Sequence, residues 1–162
     1  RPYLTGDTIP EKLVSKIQAA ATYGQGFMNT ELIAASLLDM DYHTLPKVDE
    51  KLDPSAFEAD QMNRYGLPSA IISRYHSQYF QHIFASASGY SAGYYSYTWS
   101  AVLDNDAYEA FKENGIFDQT TATSFRTNIL ERGNTDDAMN LYMAFRGHEP
   151  SIEPLLKNRG LK

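Results

Sequence analysis

Apolar residues recur along this chain at helical spacing, and turn residues interrupt them at short intervals. Thr8-Ile9-Pro10-Glu11 has the spacing of a capping box with Pro in the first turn, and Leu13, Ile17 and Ala20 then fall on one face. A second helix is predicted from about Asn29 to Tyr42, with Leu32, Ile33, Ser36, Leu37 and Met40 as its apolar stripe and Gly24 and Gly26 separating it from the first. The polar, proline-bearing stretch Leu45 to Pro54 reads as a surface loop, and Asp53-Pro54-Ser55 as the start of a short helix. Breaks follow at Gly66-Leu67-Pro68-Ser69 and at Ala85-Ser86-Ala87-Ser88-Gly89. Ser91 to about Lys112 is predicted as the longest helix, with shorter ones near Thr121–Glu131, Thr135–Phe145 and Ile152–Asn158. Gly133-Asn134, Gly147 and Gly160 mark their ends, and Ser151 stands as an N-cap before Pro154. No internal repeat and no convincing strand pair interrupts this pattern. The prediction is an all-α chain, a compact multi-helix array forming one helical domain over residues 1–162.

Composition narrows the function classes. With 20 acidic against 14 basic residues the formal charge is −6, which argues against nucleic acid because phosphate binding leaves a basic stripe. No apolar run approaches the ~20 residues of a membrane span. There is no cysteine, so neither a disulfide framework nor a thiolate metal site is possible, and the redox compartment stays open. The chain begins at Arg1 with no signal-peptide pattern after it, so either its start was removed or it is a piece of a longer protein. The second is favoured, with the cytoplasm the expected compartment and export left open.

The usual catalytic signatures are missing. The four histidines, His43, His76, His82 and His148, form no H-E-x-x-H pair, and the six-residue step from His76 to His82 is poor for shared ligation. No G-x-S-x-G elbow and no phosphate loop occurs, and Gly24-Gln25-Gly26 reads as a helix–helix turn. What remains is the segment His82 to Trp99. Of the 20-odd aromatic side chains implied by a 13% share, 12 are Tyr, whose packed body and polar tip suit a half-wet surface.

Tyr90, Tyr94 and Tyr97 fall at i, i+4, i+7, so on a helix they share a face, while Tyr95 and Trp99 share another. Both faces could be core. Against that, each buried phenol must find a partner or cost roughly 1–3 kcal/mol, so Leu or Phe would serve a dry face better. Gly89, Ala92 and Gly93 also leave the backbone bare where another chain could approach, and the small-residue loop suits a segment that moves over a ligand. A Tyr hydroxyl can donate to the oxyanion of a tetrahedral intermediate, worth about 2.7–4 kcal/mol for one good donor. It cannot generate the attacking hydroxide.

The segment Gly89-Tyr-Ser-Ala-Gly-Tyr-Tyr-Ser-Tyr-Thr-Trp99 resembles the C-terminal signature of the thimet oligopeptidase and peptidyl-dipeptidase family of zinc metallopeptidases. Phe27 to Met40, Tyr79 to Phe84, Gly115-Ile116-Phe117, Phe125 to Gly133 and Phe145 to Gly160 match in order, so the resemblance covers essentially the whole chain. It implies the C-terminal, catalytic-region part of a zincin-like helical metallopeptidase. Around Gly24–His43 and His82 the chain looks most like peptidyl-dipeptidases (dipeptidyl carboxypeptidases), which remove C-terminal dipeptides, and that branch is favoured over the oligopeptidases.

The resemblance also implies roles. Tyr97 matches the tyrosine that bonds the scissile carbonyl and stabilises the tetrahedral intermediate, and Tyr90 the one that binds substrate or transition state. Tyr94 matches a further tyrosine lining the cleft. Gly89 belongs to the loop ahead of Tyr90, and His82 matches a histidine contacting the substrate backbone. The loop from His82 to Tyr90 departs from the family in being longer and serine-bearing.

The family's H-E-x-x-H helix and zinc-ligand and general-base Glu residues lie upstream and are not in this sequence, so no catalytic zinc and no hydrolysis are expected of this segment alone. Zinc is expected in the intact parent, with short peptides as substrates and the upstream zinc-binding part as partner. Neither nucleic acid nor membrane is expected. Two other readings stay open: a stand-alone helical peptide- or ligand-binding module, and a purely structural helical domain whose tyrosine hydroxyls would all be buried and paired.

Overall fold

The computed structural model describes residue 4, residues 6–47 and residues 49–162. Among the described residues every regular element is helical, as the periodicity predicts: α1 (Glu11–Ala20), α2 (Gln25–His43), α3 (Pro54–Arg64), α4 (Gln81–Phe84), α5 (Ser96–Asn114), α6 (Gln119–Phe125), α7 (Ala138–Arg146) and α8 (Glu153–Asn158). A 3-10 turn, Ser77–Tyr79, precedes α4, and a π-helical turn, Arg126–Leu130, prolongs α6. Arg1 and Val48, which enter the sequence reading at the chain start and in the 45–54 loop, lie outside the described residues. No described helix is long and apolar enough to cross a membrane.

Aspartate side chains cap the starts of three helices. The Asp53 carboxylate accepts from the amides of Ser55 (2.9 Å) and Ala56 (3.4 Å), with Pro54 in the first turn of α3. Asp118 accepts from Thr121 N–H at 2.7 Å and Asp137 from Met139 N–H at 2.8 Å, opening α6 and α7. These bonds satisfy amides that a helix start leaves without partners. At α8 the Ser151 hydroxyl accepts from Glu153 N–H at 3.2 Å, one residue ahead of the helix boundary.

The first two helices differ from their predicted form. Pro10, not Thr8, occupies the N-cap of α1, so the capping box does not form, and no residue of α1 is buried. Leu13 and Ile17 stay about half exposed. α2 begins at Gln25, because Gly24 at φ +72° makes the turn by itself and Gly26 continues into the helix. The buried face of α2 shares only part of the predicted stripe, with Ser36 buried and Leu32 packed against the core. Ala34, Ala35 and Leu38 face inward with Asp39, while Ile33 and Met40 face out. The two alanines permit close approach to the chain beneath them, and Asp39 is drawn inward by backbone amides described below.

Two groups of apolar side chains result. Around α2, Ala34, Ala35, Leu38, Met62, Phe80, Ile83 and Tyr94 form one buried cluster. α3 joins it through Glu58, whose carboxylate accepts from Ser77 N–H (2.7 Å) and Ser77 Oγ (2.8 Å) and lies 2.6 Å from His76 Nδ1. The second group gathers on α5, which packs against α8 and α6. There Phe125 lies 5.2 Å from Phe145 and 6.0 Å from Phe111, between ring centroids. Asn158 of α8 donates to Asn105 of α5 at 2.8 Å, and the Arg159 guanidinium donates to Asn29 of α2, tying the second group to the first.

Candidate functional site

The tyrosine segment does not begin as a helix. Residues 85–95 form successive turns, and α5 starts only at Ser96, five residues after its predicted start. The turns are closed locally. Gly89 N–H donates to Ser86 O (3.0 Å), Tyr90 N–H to His82 O (3.3 Å), Gly93 N–H to Tyr90 O (2.7 Å) and the Ser91 hydroxyl to Ile83 O (3.0 Å). A Cβ placed on Gly93 would stand 3.3 Å from the Tyr90 carbonyl oxygen, so its bare backbone serves the turn itself. Gly89 is similar, with Ser86 O at 3.2 Å.

The predicted side chains nevertheless converge. Tyr90 and Tyr97 rings meet edge to face at 5.8 Å, and the Tyr97 hydroxyl donates to the Tyr90 hydroxyl at 3.2 Å. Tyr94 lies against both, 5.1 Å from Tyr97 and 6.4 Å from Tyr90. The His82 ring stacks nearly parallel to Tyr90, at 6.1 Å and 9°, and meets Tyr94 edge-on at 5.9 Å. The longer loop therefore keeps His82 beside Tyr90. Gly89 closes the loop between them.

Burial divides this group into a floor and a wall. Tyr94 is 3% exposed and packs edge-on against the fully buried Phe80 at 5.0 Å. Tyr90 and Tyr97 are 41% and 46% exposed, which does not meet the expectation of a purely structural domain that all these hydroxyls be buried. Sequence reasoning missed Tyr75. Its ring stacks on Phe80 (5.0 Å), lies 4.7 Å from His82 and meets Tyr94 at 6.2 Å, and Arg74 lies 5.9 Å over it. The R-Y pair ahead of the Y-F-Q-H motif was its only sequence signal. Tyr95 and Trp99 point elsewhere, and Trp99 lines a separate hollow of about 400 Å³ with Leu103, Phe125, Met139 and Tyr142.

Both inner phenols hold their protons tightly. The hydrogen bond to Tyr90, and then burial, raise the pKa of Tyr97, so at neutral pH it is a donor. Burial, and then the neighbouring Tyr75, push Tyr94 up to about 12. An unfolded chain ionises Tyr near 10, so the stability Tyr94 contributes is complete below about pH 10 and is lost as pH rises through about 12. The urea midpoint is expected to fall across that window and to fall less steeply in Tyr94→Phe. Parallel slopes in the two proteins would rule this out.

Among the described residues no three His, Asp or Glu side chains come together as a metal ion would require. The residues present do not fit a zinc site.

Comparison with known proteins places the chain. The model of peptidase family M3 matches residues 1–161. The chain belongs to this family. Dipeptidyl carboxypeptidase of Salmonella typhimurium is 40% identical over 159 residues, covering 97% of this chain and 23% of that protein. The Escherichia coli dipeptidyl carboxypeptidase is also 40% identical, over 99% of this chain and 24% of its own length. Oligopeptidase A of Salmonella typhimurium is 38% identical over 99% of this chain and 23% of its own length. The chain thus spans about a quarter of the curated relatives it matches, and similarity alone does not separate the two kinds of peptidase.

Proposed function

We propose that this chain is the C-terminal substrate-binding part of a zinc-dependent peptidyl-dipeptidase, an enzyme that releases dipeptides from the C-terminus of short peptides. The observation that carries the reading is the half-exposed Tyr97–Tyr90 hydroxyl pair, in a chain that belongs to peptidase family M3. At 3.2 Å the bond between these hydroxyls is longer than the 2.7–2.8 Å usual for O–H···O, and so is readily exchanged. When a scissile carbonyl becomes tetrahedral, its oxygen gains negative charge, and a charge-assisted bond from Tyr97 outcompetes the neutral one to Tyr90. Tyr90, freed of that bond, holds the substrate beside it, and Tyr94 seats both rings from below. His82, exposed and stacked on Tyr90, contacts the substrate backbone, and Gly89 closes the loop that holds the two together. Zinc and the base that activates water belong to the remainder of the protein, and this part acts by placing donors.

The test is product analysis with the full-length protein. A short peptide with a free C-terminal carboxylate is incubated beside its C-terminal amide. Sequential release of dipeptides from the free acid, with the amide spared, is the expected result. Internal cleavage of both peptides would replace this reading with the oligopeptidase one, which the 38% identity to oligopeptidase A favours as the second choice. Binding of both without cleavage would point to the stand-alone module.

A further inference from the structure

Asp39 is fully buried, yet it lies on α2 among Ala35, Leu38 and Ile83, and a carboxylate in such a place needs its charge met. Its partners come from far along the chain. Oδ1 accepts from Ala92 N–H at 3.0 Å and Oδ2 from Tyr94 N–H at 2.8 Å. His43, one helical turn on, places Nδ1 2.8 Å from both the Asp39 carbonyl oxygen and Oδ1. Both neighbours of that nitrogen are acceptors, so Nδ1 carries the ring proton. The two amides aim at one carboxylate because Ala92 takes φ +52°, a left-handed conformation uncommon for a residue with a side chain. Gly93 N–H between them goes to Tyr90 O instead, so the anion is gripped by the two flanking amides. Here the anion is the protein's own.

The pinned turn leads directly into α5, where Tyr97 N–H donates to Tyr94 O at 3.4 Å, so it sets the angle at which that phenol leaves the backbone. We propose that Asp39, supported by His43, is a positioning residue for the peptidase: it pins the turn at Ala92–Tyr94 and thereby holds Tyr97 in register for the substrate. This rests on the reading of Tyr97 as the oxyanion donor.

The test is a double-mutant cycle in the full-length enzyme. Asp39→Asn keeps the size but turns one acceptor into an amide group facing an N–H. It is expected to lower kcat about tenfold with KM changed less than about twofold. In a Tyr97→Phe background the same change should cost less than about twofold, because the phenol it positions is already gone. Amide hydrogen exchange at Ala92 and Tyr94 should quicken in Asp39→Asn while the amides of α3 and α5 stay protected. A merely structural Asp39 would give the same fractional loss in both backgrounds, and that result, or an unchanged kcat, overturns the proposal. If Tyr97→Phe itself leaves kcat unaltered, the oxyanion reading fails instead, and unaltered exchange at the two amides would then refute the pinning as well. Should Asp39→Asn not fold, His43→Phe keeps the ring against Phe84 (6.0 Å) and both amide bonds. It is expected to give a smaller, about threefold, kcat loss with the same dependence on Tyr97. Equal losses in the two backgrounds overturn the proposal there too.

Discussion

Tyr97→Phe in the full-length enzyme is expected to lower kcat about 10²- to 10³-fold, with KM little changed. The substitution removes one oxygen and keeps the ring, so the 5.1 Å contact with Tyr94 and the 5.8 Å contact with Tyr90 survive. What is lost is a phenol donor that is half open to solvent. In the ground state that donor is occupied by Tyr90, so its removal costs little binding. On the proposed reading it meets charge in the transition state, and its full worth appears there. Tyr90→Phe should behave differently. It removes the acceptor that holds Tyr97 at rest as well as a substrate contact, so KM should rise alongside a smaller fall in kcat. Equal effects of the two substitutions on KM would contradict the division of roles.

The largest expected loss of stability lies elsewhere, at Asp106 on α5. Its side chain is 3% exposed, and Tyr142 of α7 donates to Oδ2 at 2.6 Å. Arg146, 9% exposed, donates Nε to the Asp106 carbonyl at 3.1 Å, with Oδ2 at 3.4 Å, and its two terminal nitrogens grip Glu113 at 2.8 Å each. Burial and the Asp106 carboxylate raise the Tyr142 pKa, which keeps it a donor. Asp106→Ala leaves the Tyr142 phenol only its 3.4 Å approach to Leu103 O and strands part of a guanidinium in this interior, and is expected to destabilise by about 3–5 kcal/mol in urea unfolding. Replacing Asp106 by Leu and Arg146 by Met together should cost less than Asp106→Ala alone, since no buried charge is then left unmatched. A double variant worse than the single one would show that packing, not charge, holds α5 to α7.

How much of this was legible in the sequence depends on the range of the interaction. Asp53-Pro54, Gly66 and the short helices after Gly115 are set by residues within a turn of one another, and their spacing announces them. The pairing of Tyr90 with Tyr97 was legible too, though for an incomplete reason: an i, i+7 face was expected on a continuous helix, and it is a turn leading into α5 that brings the rings together. The turn is closed by its own short-range bonds, but it is anchored to α2 by Asp39, which takes two amides 53 and 55 residues away, and no local pattern encodes that anchor. The same anchor explains why the buried face of α2 departs from the predicted stripe, where a charged residue is buried and Ile33 and Met40 are not. Tyr75 was missed because a single aromatic outside the glycine-rich stretch has no spacing to betray it. Its place is fixed by Phe80 and Tyr94.

Donation by Tyr97 to the tetrahedral oxygen is read most directly from the affinity of a phosphinic peptide, a tetrahedral mimic, for the wild-type and Tyr97→Phe full-length enzymes, set beside the affinity of the product dipeptide. If Tyr97 donates to the tetrahedral oxygen, the mimic should weaken by about the same 10²- to 10³-fold factor as kcat/KM, while the dipeptide binds as before. Equal affinity of both enzymes for the mimic would contradict the account.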